Sequence, residues 1–152
     1  MKYQNEIEKT LNKNRFSRRF YVRFSLACAR DVEAYDTTNR AKECNDVVHR
    51  WINGKATIQE VNAASAASTT AAAMTAASAS YASASASYAA YAASAAHSAS
   101  ASAAYAASAS AAYAASATAT AYAEDRNKYS KKYYDILIEM IANLTELQRE
   151  FL

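Results

Sequence analysis

Proline is absent from this chain of 152 residues, and glycine occurs once, at Gly54. A sheet protein built on tight Gly/Pro turns is disfavoured, and every glycine-dependent phosphate loop is excluded. Two cysteines, Cys28 and Cys44, are too few for a disulfide framework; they fall in segments that read as helices and are expected to be small buried hydrophobes kept reduced. Two histidines, His49 and His97, stand in no zinc-ligand pattern, so neither a metal nor a cofactor is expected. No long Leu/Ile/Val run is present, which argues against a membrane span. The opening MKYQNEIEKTLNKNRF carries charges where a secretory signal needs an apolar stretch, and this points to the cytoplasm. A net charge of +3 is too small to argue for nucleic acid by itself.

Charge is also missing from the middle of the chain. Residues 1–62 carry 12 Lys/Arg against 8 Asp/Glu, residues 63–123 carry none of either, and residues 124–152 carry 5 against 6. The uncharged tract holds 34 Ala, 14 Ser, 5 Thr and 6 Tyr in 61 residues, with Met74 and His97 completing it.

What is there is helical periodicity. Tyr3, Ile7 and Leu11 recur every four residues and predict a first short helix. Phe16, Phe20, Phe24, Cys28, Val32 and Tyr35 form a ladder that predicts a second, widened by Leu26 and Ala27. Asp36 is the expected N-cap of a third, in which Ala41, Cys44, Val47, Val48, Trp51 and Ile52 repeat at three and four, with Trp51 as core anchor. Asn53-Gly54 should stop it, since glycine takes the left-handed conformation most readily. Thr57-Ile58-Gln59-Glu60 reads as a capping box opening a helix that runs into the tract. At the other end Tyr133, Leu137, Met140, Leu144, Leu147 and Phe151 step by four and three, the seam of a helix packed on the N-terminal helices or on its own copy.

Alanine has the highest helix propensity and the tract contains no breaker, so helix is preferred over a silk-like strand in which Ser and Ala alternate across two faces. One helix over 61 residues would be about 90 Å long. A hairpin of two helices, broken between residues 93 and 104, is the expectation. Aligned in octads, the tract has Tyr81, His97, Tyr105 and Tyr113 in the first position, and an octad advances about 80° past two turns, so these rings wind around a straight helix. The fold expected is therefore all-α: an N-terminal short-helix unit over 1–56, Ala/Ser/Tyr-rich repeat helices over 57–123, and a C-terminal amphipathic helix over 124–152.

Phe24-Ser25-Leu26-Ala27-Cys28-Ala29-Arg30-Asp31-Val32, then Ala41-Lys42-Glu43 leading to Trp51-Ile52-Asn53-Gly54-Lys55, then an Ala-dominated tract with recurrent Tyr and a His, resembles the predicted immunity proteins of bacterial polymorphic toxin systems. Members of that family also occur on phages and mobile elements. The likeness covers about residues 16–123; the family's tract carries Arg and Asp among the alanines, where this chain has Ser. The resemblance implies a toxin-neutralising or inhibitory role.

Three sets of residues could carry function. Arg15, Arg19 and Arg23 lie on one helix face, with Arg30 a little further on; residues 1–24 hold seven basic against two acidic residues. That face is either a basic patch for an acidic partner or a solvated surface. Cys28, Asp31 and His49 would make a nucleophile and base only if the fold brought them together, and a packed Cys beside a buried, paired Asp is the plainer reading. The ring positions Tyr81, Tyr88, Tyr91, His97, Tyr105 and Tyr113 either fill the core between alanine helices, form an aromatic recognition surface, or belong to an ice-binding Ala/Thr/Ser face.

The function expected is non-catalytic: an immunity-like or phage anti-defence inhibitor that occludes a protein partner, a toxin or defence-system component, through the arginine face and the tyrosine face. The alternatives are a small-ligand sponge at an oligomer interface and a structural self-assembling module, with the C-terminal helix as the surface for a homo-oligomer.

Overall fold

The computed structural model describes residues 2–14, 16–72, 77–95 and 100–144, and over these it is all-helical. Seven α-helices follow in order: α1 Lys2–Lys13, α2 Arg18–Val32, α3 Arg40–Ile52, α4 Ile58–Ala72, α5 Ala77–Ala95, α6 Ser100–Tyr122 and α7 Arg126–Ala142, with a 3-10 turn Glu33–Tyr35 after α2. The uncharged tract thus divides into three helices, not the two expected. Helix α4 is bounded by Ala72 and α5 by Ala77, and α5 by Ala95 and α6 by Ser100; neither intervening sequence, Ala-Met-Thr-Ala or Ala-His-Ser-Ala, contains a glycine or proline to announce a new helix. Folding back twice turns one long rod into segments of about 22–35 Å, lengths that neighbouring helices can cover.

Local signals place most of the boundaries. Ser17 caps α2 by accepting from Phe20 N at 3.2 Å. Gly54, at φ +71°, ends α3 in a Schellman arrangement in which Lys55 N donates to Arg50 O at 2.8 Å and Gly54 N to Trp51 O at 3.0 Å. The capping box before α4 closes in both directions, Thr57 N donating to Glu60 Oε2 at 2.7 Å and Glu60 N to Thr57 Oγ1 at 3.2 Å. Asp36 does not occupy the N-cap of α3. Asn39 does, at φ 61°, and the buried Asp36 carboxylate reaches forward from the 3-10 turn to accept from Ala41 N at 2.6 Å and from Thr38 N and Oγ1 at 2.9 and 2.7 Å.

Helix α5 is the centre, in contact with α2, α3, α4 and α6, while α1 and α7 lie on α6 and on each other. α4 and α6 both run antiparallel to α5: Ser68 Oγ donates to Ser83 O at 2.8 Å on one side, and Ser85 pairs with Ser110 on the other. Helix α2 separates two hydrophobic cores. Phe20, Phe24, Cys28 and Val32 join Ile7, Leu11, Phe16 and Tyr21 against the alanines of α6 and against Tyr133 and Leu137. Val22, Leu26 and Ala29 join Cys44, Val48, Ile52 and Val61 against the alanines of α5. Trp51 is only half-buried, at the edge of this second core, and is not its anchor. The C-terminal seam is realised at Tyr133 and Leu137, with Met140 and Leu144 partly buried, and its partner includes the tract helix α6; Leu147 and Phe151 lie outside the described residues.

Where α2, α5 and α6 meet, Ser25, Ser85 and Ser110 are all fully buried. Ser85 Oγ donates to Ser110 O at 3.0 Å, and Ser110 Oγ stands 3.0 Å from both Ser85 O and Ser25 O. A side-chain oxygen one carbon from the backbone reaches a neighbouring carbonyl only if the helices approach closely. Ser110→Leu should therefore lower stability by about 3 kcal/mol or more, combining overpacking with lost buried hydrogen bonds, while Thr120→Leu on the exposed face should change it by under about 0.5 kcal/mol; chemical denaturation of both variants checks this.

Burial raises the pKa of Asp36, but the bonds donated by Ala41 and Thr38 outweigh it and hold the carboxyl below its ordinary value of 3.8. A depressed folded value means the stabilisation is complete above that ordinary value and is lost as pH falls through the lower folded one. Asp36→Asn should cost about 1–2 kcal/mol at pH 7, and the difference from wild type should shrink at acid pH in urea titrations; a pH-independent difference would show that ionised Asp36 does not hold α3.

Candidate functional site

Tyr81 and Tyr88 are seven residues apart on α5, nearly in line after two turns, and Tyr105 and Tyr113 are eight apart on α6. Antiparallel packing of the two helices interleaves them. Ring centroids lie 6.2 Å apart for Tyr81–Tyr113, 5.2 Å for Tyr88–Tyr113 and 6.5 Å for Tyr88–Tyr105, with the Tyr88–Tyr113 pair stacked at 16°. The helices meet through Ala and Ser, and the rings stand outside that contact. Tyr81 and Tyr91 are exposed, Tyr105 is 60% exposed, and Tyr88 and Tyr113 are half-buried. Tyr81, Tyr91 and Tyr105 therefore do not fill the core, whereas Tyr88 packs against the edge of the second core.

On one side of this ring row lies a groove of about 400 Å³. Its floor is Ser108, Ala109, Ala112 and Ser116 of α6; its far wall is a polar ladder on α1, Gln4, Glu8 and Asn12, and Arg126 at the start of α7 closes one edge. Gln4 is 8% exposed, and its Nε2 donates to Ser108 O at 3.1 Å and Ser108 Oγ at 3.0 Å. Gln4 Oε1 and Arg126 Nε are buried and have no hydrogen-bond partner among the described residues. On the other side, toward α4, a second hollow of about 530 Å³ shares Tyr88, Tyr105 and Tyr113 and adds Tyr91, Ser65, Thr69 and Ser87. Burial and the neighbouring Tyr113 and Tyr105 hydroxyls raise Tyr88 above its ordinary value of 10.0, so it presents a protonated hydroxyl at neutral pH.

Arg19, Arg23 and Arg30 do not join this groove. Arg19 and Arg23 are exposed on α2, and Arg23 borders a separate hollow of about 370 Å³ with Leu26, Ala27, Arg30, His49, Ile52 and Asn53. Arg30 is held between helices by Asp46 at 2.8 Å and Glu33 at 3.1 Å. Arg15 and His97 lie outside the described residues. Gln4, Glu8, Asn12 and Arg126 were not singled out by the sequence; the first three form an i, i+4, i+8 polar stripe beside the Ile7/Leu11 stripe, whereas nothing local marks Arg126.

No nucleophile and base are brought together at Cys28. The thiol is fully buried, and burial together with the nearby Asp31 carboxylate raises it well above 9.0 despite Lys132. Asp31 is paired but not buried as expected: it accepts from Lys132 Nζ at 2.6 and 2.7 Å and from Tyr133 Oη at 2.7 Å, while His49 is exposed on α3. Cys44, in the other core, donates to Ala86 O at 3.4 Å, and its burial pushes it up to about 12. Both cysteines are free. Among the described residues no three His, Cys, Asp or Glu side chains converge on a metal site, and no helix is long and apolar enough to cross a membrane.

No family model, curated protein or solved structure matches the chain. The candidate site therefore stands on its geometry. For the thiols, the expected outcome is that neither reacts with a thiol reagent in the native protein at pH 8 and both react in denaturant; rapid native labelling of Cys28 would contradict its buried, raised-pKa environment.

Proposed function

We propose that this chain is a non-catalytic binding protein that inhibits a partner protein by occluding it, and that the tyrosine row on α5 and α6 is the contact surface. One observation carries the reading: Tyr81, Tyr88, Tyr105 and Tyr113 touch one another in a continuous row along α5 and α6, with Tyr81 and Tyr105 exposed. Tyrosine concentrates at binding hot spots because it offers a large amphipathic area for the loss of two rotatable bonds, and rings held by one another lose less still. The phenol hydroxyls give such a surface direction, since each can donate or accept. The resemblance to toxin-immunity proteins supplies the class of partner, a toxin or a defence-system component, and a cytoplasmic site of action goes with it. The exposed Arg19 and Arg23 would act as a separate steering patch and not as part of the tyrosine contact.

A second reading, a small-molecule binder, is favoured by the size of the groove, about 400 Å³ with an unpartnered acceptor and donor at its edge.

The test is capture by the immobilised full chain from host extract, identification of the retained protein, and assay of that protein's activity with and without added chain. Tyr105→Ala with Tyr113→Ala should reduce capture at least about tenfold with helicity unchanged, since Ala is the better helix former. Arg19→Glu with Arg23→Glu should slow association and weaken its salt dependence. Capture indifferent to the tyrosines removes the contact surface, and a captured protein whose activity is undiminished removes the inhibitory role.

A further inference from the structure

The groove beside the tyrosine row has a chemistry of its own, and what it selects rests on its being a recognition surface. Its charged residues are Glu8 and Arg126, one of each sign. A nucleic-acid strand on an aromatic platform needs positive potential along its backbone, and the groove supplies a single guanidinium against a carboxylate. An extended peptide fits better. The rings run Tyr81, Tyr113, Tyr88, Tyr105 in unbroken steps of 6.2, 5.2 and 6.5 Å, so they line a track and do not enclose a pocket.

The spacing of the two α5 rings in that track is close to the repeat of one peptide conformation. Tyr81 and Tyr88, seven residues apart, are about 10.5 Å apart along α5, and a polyproline II helix repeats every three residues, about 9.3 Å. Two successive turns of such a helix would meet Tyr81 and then Tyr88, with Tyr113 lying between them. Its carbonyls have no internal partners and need donors; the track offers tyrosine hydroxyls and Arg126 Nε, which is buried without a partner. A residue between prolines keeps its N–H and needs an acceptor. Gln4 Oε1 is such an acceptor, unpartnered on a side chain more than nine-tenths buried in the groove wall. Glu8, exposed on the same wall, complements a basic residue flanking the segment.

We propose that the groove between α1 and the tyrosine row binds a proline-rich segment of the partner protein in the polyproline II conformation, with a lysine or arginine beside it at Glu8. This uses the recognition mode in which aromatic-lined grooves take a preformed, low-entropy chain.

The experiment is an NMR titration of the full-length chain with the blocked peptide acetyl-Lys-Pro-Pro-Ala-Pro-Pro-Ala-Pro-Pro-amide, and with the same peptide carrying Gly in place of each Pro. The proline peptide should shift the Tyr88, Tyr105 and Tyr113 ring signals saturably, with half-saturation below about 1 mM, and the glycine peptide should bind at least about tenfold more weakly. Tyr105→Ala, at an exposed helix position, should weaken the proline peptide at least about tenfold with the fold unchanged. Glu8→Gln should weaken it only when the leading Lys is present. Equal binding of the two peptides, or no binding of either, overturns the proline assignment. If it falls while Tyr105→Ala still abolishes capture of the partner, recognition through the tyrosines stands; if that variant leaves capture intact, the recognition reading falls whatever the peptides do. Shifts confined to the arginine hollow around Arg23 and His49 would likewise overturn the assignment.

Discussion

Close approach of helix backbones at Ser25, Ser85 and Ser110 is the constraint on which the bundle depends. A hydroxyl one carbon from the main chain bonds the carbonyl of the next helix, and the neighbouring alanines leave nothing to hold the helices apart. The same chemistry recurs where Ser68 meets Ser83 across α4 and α5, and where Gln4 reaches Ser108 from α1. Such hydrogen bonds contribute about 1 kcal/mol each, and alanine burial adds little per residue. The large apolar side chains of α1, α2, α3 and α7 therefore provide most of the hydrophobic stabilisation, lying in two cores on either side of α2.

Tight packing of small residues has a consequence for the large ones. The interior between α5 and α6 has no room for a phenol, so the tyrosines of these helices stand at the outer edge of the contact and meet one another there. Packing and recognition are thereby assigned to different faces of the same helices. A substitution at Tyr105 alters the surface without touching the serine junction, whereas one at Ser110 does the reverse.

Charge is confined to the periphery and serves to orient. Asp31 ties α2 to α7 through Lys132 and Tyr133, and Arg30 ties α2 to α3 through Asp46. The Arg30–Asp46 pair is partly exposed, and pairs of that kind contribute about 1 kcal/mol or less, so their value lies in fixing which helix faces which. Asp36 differs, because it is buried and satisfies the start of α3 from a distance.

Local chemistry was legible in the chain itself: the all-α class, the Phe stripe of α2, the stop at Gly54 and the capping box at Thr57 all depend on residues within a turn or two of each other. The tract was legible only as helix. An Ala/Ser sequence presents nearly the same methyl and hydroxyl surface in every direction, so no stripe says which face packs, and no glycine or proline marks where α4 gives way to α5. The N-cap of α3 was misplaced because the Asp36 side chain acts across five residues instead of two or three. Of the site, the tyrosines were visible as an aromatic repeat, but their spacing scattered them around a straight helix. Tertiary structure alone decided that α5 and α6 pair antiparallel and interleave their rings, and that Gln4, Glu8 and Arg126 arrive from the two ends of the chain. Those contacts join residues from 17 to 104 positions apart, separations at which periodicity and capping carry no information.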